Sequence, residues 1–431
     1  MLTRDQRKVI YSSCIGTILE WYDFSLYAFL AGIFAQIFFR ALPTTSLLLS
    51  YTVFAIGYLA RPMGAAIFGY LGDTQGRKKA LSFSVLLMAV ATCGIGLLPS
   101  YATAGISTVF LLVFFRLLQG IAVGGESFGS ACFIVESIPS SQVGLFSSLI
   151  WASSVIGLLL GSLAIFILFI FFQGPLLYSV GWRLPFFLAA ISGVIGYYIR
   201  KRTIETQAFR RLQDRCLVDK TPLKTIFLTH KVLTAQLMGL YLLAALITYL
   251  VFIFMPVYFT DVLGHSKVYA HALNTAVLAL LILLDIFFGW FSDKVGRKPL
   301  MLAGAIGLMC FSYPLYLLIA HGSFLAVIIA QIIFAILAAS FQGPLLAITL
   351  DLIPVSVRYS LGSLSYSLGY SIFGGTAPIV AIYLITKTSN VAIPGLYLAM
   401  GAVVAVVILI TTKKLPSLLT MFNRKHKNTV N

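Results

Sequence analysis

Charge is scarce in this chain. Of its 431 residues only 10% are Asp, Glu, Lys or Arg, while 60% are hydrophobic. A water-soluble domain carries about a quarter charged residues, so a soluble fold is excluded: it would have no polar surface to hide so many apolar side chains. Histidine and cysteine are sparse too, five of each. His230, His265, His271, His321 and His426 lie near loops and tails without metal-ligand spacing or a nucleophile partner, which argues against a zinc or hydrolase site. Cys14, Cys93, Cys132 and Cys310 sit in apolar stretches and Cys216 in a basic one, with no close pair to bridge or to hold a metal. They read as reduced and inert. A phosphate loop of P-loop spacing is missing, as is the nucleophile, base and orienter set of a membrane enzyme. Neither an organic cofactor nor a metal is expected.

Long apolar runs are what the chain does have. They fall near 12 to 39, 48 to 72, 80 to 99, 105 to 134, 145 to 172 and 183 to 200, and again near 232 to 259, 269 to 292, 300 to 320, 324 to 350, 361 to 386 and 393 to 412, bounded by Gly, Pro or charge. A bilayer core of about 30 Å takes roughly 20 apolar residues per helix. The pattern therefore predicts an all-α polytopic membrane protein of twelve spans, with no room for a soluble domain. Its expected organisation is a six-helix bundle over 1–200, a basic central loop over 201–231, a second six-helix bundle over 232–412 and a basic tail over 413–431.

The formal charge of +17 could mean nucleic-acid binding, but location decides against it. The intracellular segments of a twelve-span chain would hold 24 of the 30 basic residues, and the outer loops only Arg40, Lys267 and Lys387. The stretch from Arg200 to Lys231 and the tail residues Lys413, Lys414, Arg424, Lys425 and Lys427 supply most of them. This is the positive-inside pattern, and it places both termini in the cytoplasm. Arg4, Arg7 and Lys8 resemble the start of a signal peptide, yet Glu20 and Asp23 interrupt the run that follows, so the first span is read as uncleaved.

The halves repeat. Gly69-Tyr-Leu-Gly-Asp73-Thr-Gln-Gly76-Arg77-Lys78 returns as Gly289-Trp-Phe-Ser-Asp293-Lys-Val-Gly296-Arg297-Lys298 about 220 residues later, and Glu136-Ser-Ile-Pro139 returns as Asp351-Leu-Ile-Pro354 after about 215. Two repeated six-helix bundles can rock about a midplane site that opens to one side at a time.

The doubled Gly-x-x-x-Asp-x-x-Gly-Arg-Lys resembles the cytoplasmic signature of the major facilitator superfamily. Within it, Gly16-Thr-Ile-Leu-Glu20-Trp21-Tyr22-Asp23-Phe24, Arg61-Pro62-Met-Gly64, Arg116-Leu-Leu-Gln119-Gly120 running into Gly124-Gly125-Glu126, Gly181-Trp182-Arg183-Leu-Pro185-Phe186-Phe187 and Glu205-Thr206 are similar to the metabolite/proton symporters. That family includes shikimate, citrate, 2-oxoglutarate and proline/betaine carriers. The resemblance covers nearly the whole chain and implies the major facilitator fold, two pseudo-symmetric bundles in a bacterial inner membrane. Departures are local. Thr74 stands where a basic residue is usual, and Val143 where the loop after Glu136 usually carries Arg, so part of one gate is expected to be weaker. Asp351 and Arg358 are expected to pair across their own loop. The Gly-Pro-rich fifth-span signature of antiporters is missing, since Gly157 and Gly161 come without the proline, which favours symport. The tail shows no heptad pattern, so organic-acid carriers are expected to match better than osmosensing betaine carriers that end in a coiled coil.

An ionisable side chain at the centre of a span costs about 2.5 to 3.5 kcal/mol on insertion scales and needs a partner or a wet cavity. Glu20 and Asp23 share one helix face, and Tyr27 continues it. Together with Glu126 these acids are candidates for holding the coupled proton; alternatively Glu20 and Asp23 pair with Arg61 or Arg116 to hold helices together, and Glu126 packs at an interface opened by Gly124 and Gly125. A guanidinium can clamp a substrate carboxylate through two parallel hydrogen bonds. The resemblance implies proton coupling for Arg116 in the fourth span and leaves substrate contact to Arg61, the other possibility being two structural ion pairs. Trp21, Tyr27 and Tyr366 are further substrate candidates; Tyr22, Trp151, Tyr249 and Tyr370 could equally stack on a solute or pack. Asp285 is either functional or a helix-end acid. Asp73, Arg77, Asp293, Arg297, Asp351 and Arg358 are read as gate residues that latch the bundles.

The expected function is proton-coupled symport of a small carboxylate-bearing metabolite by alternating access, in a monomer surrounded by lipid and without a nucleic-acid partner. The alternative within the class is a zwitterionic compatible solute such as proline or betaine. A sensor that kept the fold without transporting is the alternative from another class.

Overall fold

The computed structural model describes residues 3–39, 43–172 and 174–412. Arg40 and the predicted tail, with Lys413, Lys414, Arg424, Lys425 and Lys427, lie outside the described residues. Among those described, every predicted span is a helix. The first, α1 (Arg4–Phe29), is bent by 59° at Leu30 from a continuation over Ala31–Phe38. The other eleven are α2 (Thr52–Gln75), α3 (Arg77–Gly96), α4 (Ile106–Val135), α5 (Val143–Phe171), α6 (Gly181–Lys201), α7 (Lys231–Ile253), α8 (Tyr269–Val295), α9 (Arg297–His321), α10 (Phe324–Leu352), α11 (Val355–Thr388) and α12 (Ile393–Thr411).

Burial is inverted relative to a soluble protein. Large apolar side chains such as Phe166, Phe171, Ile191, Leu283, Phe311, Ile379 and Val407 are exposed, whereas Glu20, Asp23, Arg61, Arg116, Glu126, Arg200 and Asp285 are buried. Lipid has no polar groups to offer, so polar side chains turn inward and the outside is hydrocarbon.

In the first half α1 packs against α4, α5 and α6, α3 against α4 and α6, and α2 against α4; in the second, α9 packs against α10 and α12, and α7 against α11 and α12. Two matching seams join the halves, α5 against α8 and α2 against α11. Small residues permit the close approach. A Cβ on Gly144 would strike the backbone of Gly289 across the first seam, and one on Gly69 the backbone of Ser360 across the second.

The sequence repeat is a backbone repeat. Gly76 and Gly296 turn the chain between α2 and α3 and between α8 and α9 with φ of 110° and 101°, a region that other residues enter only with strain. The predicted central loop over 201–231 carries helices over Gln207–Asp214 and Pro222–Thr229, and Arg200, at the end of the first predicted bundle, is a buried residue of α6.

Candidate functional site: a small acid-lined cavity and the ion pairs of the repeated motifs

A candidate latch, the set of contacts that joins the two halves at the basic end, is built from the repeated motifs. Asp73 accepts the backbone N–H groups of Tyr359 (3.1 Å) and Ser360 (2.8 Å) at the start of α11, and Asp293 accepts those of Gly144 (2.7 Å) and Leu145 (2.9 Å) at the start of α5. Each acid thus meets a helix N-terminus of the other half, where free N–H groups favour a negative charge. Arg77 pairs with Asp73 (3.3 Å) and Glu136 (3.1 Å) and donates to the Val355 carbonyl at 2.8 Å. Arg297 repeats this with Asp293 and Asp351.

The expected pairing of Asp351 with Arg358 does not occur. Asp351 is taken by Arg297, and Arg358 reaches across the seam to Glu136 at 3.3 Å. The reason is geometric: Arg358 opens α11, which packs on α2 and α4 of the other half, so Nη1 extends to Glu136 while Nε donates to the Ile353 carbonyl of its own loop at 3.3 Å. Val143 occupies the matching place at the start of α5 and has no charge to send back, which leaves the Asp351 side chain half exposed. Glu136 lies outside the spans. Burial alone would push its carboxyl up, but Arg77 and Arg358 outweigh that and hold it below its ordinary value. The segment after α6 joins in, since the Thr206 hydroxyl donates to Glu136 at 2.8 Å and Glu205 accepts the Lys78 N–H at 3.1 Å.

Above the latch, α4 crosses α2 through glycines: a Cβ on Gly120 would strike Gly57, one on Gly124 the backbone of Arg61, and one on Gly64 that of Ile121. This contact brings Arg61 and Arg116 inside the first bundle, both fully buried. None of the three guanidinium nitrogens of Arg61 has a hydrogen-bond partner among the described residues, and Arg116 leaves Nε and Nη2 unpartnered. Their neighbours are rings. Arg61 lies 5.4 Å from the Tyr58 and Tyr366 rings and 5.9 Å from Tyr370; Arg116 lies 4.4 Å from Tyr27, 4.6 Å from Phe24 and 5.1 Å from Phe54. Tyr249, Tyr241 and Trp151 extend the aromatic layer through Tyr370 and Tyr366. Tyr249 and Tyr370 stand on π-helical turns, Ile247–Ile253 and Tyr370–Gly374, a distortion frequent at functional sites.

Glu20, Asp23 and Glu126 line one small cavity between α1, α3, α4 and α6, about one water in size. Neither Glu20 nor Asp23 forms an ion pair with Arg61 or Arg116, as the helix-holding alternative required. Glu20 accepts from Ser127 (3.0 Å) and Asp23 from Thr92 (3.3 Å). Glu126 is different: Arg200 of α6 pairs with it, and Ser84 and Ser130 donate to it at 2.7 and 3.0 Å.

The remaining candidates divide. Tyr366 and Tyr27 reach the guanidinium groups, Tyr366 at Arg61 and Tyr27 at Arg116, with the Tyr27 hydroxyl on the Ser50 carbonyl at 3.2 Å. Trp21 stands apart, its Cβ in the notch left by Gly157 of α5. Asp285 is buried inside α8 and not at its end, with one oxygen unpartnered. Tyr58, Thr92 and Arg200 escaped the sequence reading as site residues, and Gln119 entered it only as part of the motif over 116–120. Arg200 carried a signal of its own, a guanidinium at the end of an apolar run.

Twelve spans in two repeated halves, latched at one end over a buried charged layer, define a secondary transporter of the alternating-access type. The chain belongs to the major facilitator superfamily, whose model matches residues 13–285 and 237–428. It is a multi-pass membrane transporter, not an enzyme. A putative proline/betaine transporter of Staphylococcus aureus (strain MSSA476) is 30% identical over 406 residues, covering 94% of this chain and 87% of that protein. The proline/betaine transporter of Salmonella typhimurium (strain LT2) is 29% identical over 418 residues, covering 95% and 83%. In fold the chain is similar to the proton:xylose symporter XylE bound to 6-bromo-6-deoxy-D-glucose, with a TM-score of 0.81 at 17% identity and coverage of 95% and 96%. The inward-open conformation of XylE from E. coli gives a TM-score of 0.67, also at 17% identity, with coverage of 96% and 98%.

Proposed function

We propose that the protein is a proton-coupled symporter in a bacterial inner membrane, both termini cytoplasmic, that imports a small zwitterion of the proline or betaine kind. The observation that carries this reading is Arg61: a fully buried guanidinium without a hydrogen-bond partner among the described residues, held against Tyr58, Tyr366 and Tyr370. A buried charge left unpaired is costly, and a solute carboxylate would remove that cost with two parallel hydrogen bonds. The tyrosine faces around it suit a quaternary or secondary ammonium. One zwitterion answers both. The proline/betaine relatives support this choice over the order suggested by the tail. Protons load on Glu20 and Asp23, the bundles 1–200 and 232–412 rock as units, and a monomer suffices.

A second reading keeps the class and changes the cargo. Arg116 offers two more free nitrogens, which would suit a dicarboxylate. Vesicles containing the purified protein, given an inward proton gradient and labelled proline, betaine or succinate, separate them. Accumulation of betaine or proline in preference to succinate is expected; succinate alone would establish the second reading, and no accumulation of any solute would favour a sensor.

A further inference from the structure

Arg116 and Asp23 do not touch, yet they are joined. Arg116 Nη1 donates to Gln119 Oε1 at 2.8 Å, Gln119 Nε2 donates to the Thr92 hydroxyl at 2.8 Å, and that hydroxyl donates to Asp23 Oδ2 at 3.3 Å. All four side chains are buried to 2% exposure or less, and they come from α4, α3 and α1. Every donor points the same way, from the cation toward the acid. Such head-to-tail chains polarise one another. Among the described residues both ends keep unpartnered atoms, Nε and Nη2 of Arg116 beside the aromatic layer and Oδ1 of Asp23, a residue that lines the acid cavity.

We infer that Gln119 and Thr92 are positioning residues for coupling: they form the relay through which the protonation of Asp23 sets the positive potential that Arg116 adds beside the solute carboxylate on Arg61. The inference rests on the symport reading above and names how proton and solute communicate. With Asp23 ionised, the chain ends on a negative charge that offsets Arg116. When a proton from the outer water binds, an O–H bond forms at Oδ2 and none breaks within the relay. Thr92 then turns its hydrogen away and accepts from Asp23, so the last link reverses. Arg116 is left without compensation, and its positive potential, one ring contact from Arg61 through Phe54 and Tyr58, favours the carboxylate that Arg61 holds. Proton and anion binding therefore reinforce each other, and by linkage the reinforcement is mutual, which is the sign symport requires.

Other charges face Asp23. Glu20, Tyr22 and Tyr27 lie on its own helix; Glu126 lines the same cavity from α4, and Arg200 reaches it from α6. Along α3 only Cys93 is titratable near Thr92, and α5 presents no titratable side chain. The test must therefore isolate the hydroxyl. Thr92→Val keeps shape and removes it, Thr92→Ser restores it, and Gln119→Leu cuts the adjacent link.

In proteoliposomes, Thr92→Val and Gln119→Leu are expected to lose about tenfold or more in gradient-driven accumulation of betaine or proline while counterflow exchange stays within about threefold, with Thr92→Ser close to the parent. Without any solute, the infrared band of the protonated carboxyl assigned by its loss in Asp23→Asn should change its titration midpoint in Thr92→Val and not in Thr92→Ser. Full accumulation in both severed variants overturns the inference, as does loss of exchange in parallel with accumulation. If the unaltered protein accumulates none of the solutes, the functional reading fails, and an unmoved infrared midpoint in Thr92→Val is then what overturns the relay.

Discussion

Arg358 forms its ion pair with Glu136, 222 residues away on the opposite half of the molecule, at 3.3 Å. The pair crosses the α2–α11 seam, where Asp73 also holds the start of α11 through two backbone N–H groups. These contacts join the two halves at the basic end, so each would stabilise a state in which that end is closed. Differential contact of this kind is what shifts a conformational equilibrium.

Arg358→Ala and Glu136→Gln are therefore expected to open the basic end. Cys132 lies one turn before Glu136 and is fully buried beneath the latch, which makes it a native reporter. Its alkylation by a small permeant maleimide should rise by about tenfold in either variant, the effect of roughly 1.4 kcal/mol on the equilibrium, with Cys132→Ser giving the background. Labelling as slow as in the parent protein would show that the latch does not govern access.

The same latch should ignore physiological pH. Arg77 and Arg358 overcome the effect of burial and hold the Glu136 carboxyl below its ordinary value. A depressed acid contributes its stabilisation above its free value, about 4.3 for Glu, and loses it as pH falls through the lowered one. Protection of Cys132, corrected for the reagent's own pH dependence, should thus be flat between about pH 6 and 8. A break inside that window would assign the pH response of the gate to some other group, with Glu205 the first to examine, because burial raises its carboxyl.

The two motif glycines offer a controlled comparison. Gly76 and Gly296 share an unusual φ, but a Cβ on Gly76 would also meet the Glu205 carboxylate and Phe209, whereas one on Gly296 meets only Pro299 at 3.6 Å. Backbone strain of about 1–3 kcal/mol should appear in both Gly→Ala variants. Only Gly76→Ala should add displacement of the segment after α6, seen as a larger drop in melting temperature and as faster proteolysis between 203 and 214. Equal behaviour of the two would show that Glu205 is not anchored there.

How far the sequence carried this architecture depends on the kind of signal. Spans were legible because a helix in lipid must be apolar for its whole length, and Asp73 and Asp293 because their motif recurs. Partners were less so. Arg358 sits seven residues after Asp351, and only the packing of α11 against α2 and α4 reveals that its ion pair is with Glu136 of the other half. Thr92 and Tyr58 are ordinary residues in apolar runs; what marks them is the helix opposite, and no local pattern records that, while the motif that contains Gln119 does not show which side chains it bridges. Asp285 showed the reverse case, a conspicuous acid whose surroundings in α8 supply no ion pair.

Arg61 should be intolerant of a change that keeps its charge. Lysine retains the positive charge but loses the planar fork that grips a carboxylate in two places. A charge-assisted hydrogen bond contributes about 1.5–3 kcal/mol, so Arg61→Lys should weaken solute binding by about tenfold or more, read as loss of the ligand-induced rise in melting temperature. Unchanged affinity would move the carboxylate to Arg116, where the corresponding Lys variant would then show the loss.

Glu126 tests whether one acid of the cavity differs from the other two. Protonating it would break its ion pair with Arg200 and leave a buried guanidinium unpaired, whereas protonating Glu20 or Asp23 breaks no ion pair. Its expected role is to clamp α4 to α6. Removing one partner of a buried pair costs about 3–5 kcal/mol, while replacing both is far milder, so Glu126→Gln and Arg200→Gln should each lower the melting temperature by several degrees and the double variant Glu126→Met with Arg200→Leu should recover much of it. Gradient-driven accumulation should survive in that double variant to within about threefold and be lost in Asp23→Asn. If the double variant instead folds stably and exchanges solute but no longer accumulates it, Glu126 carries the proton, and the buried pair with Arg200 is a step of the transport cycle.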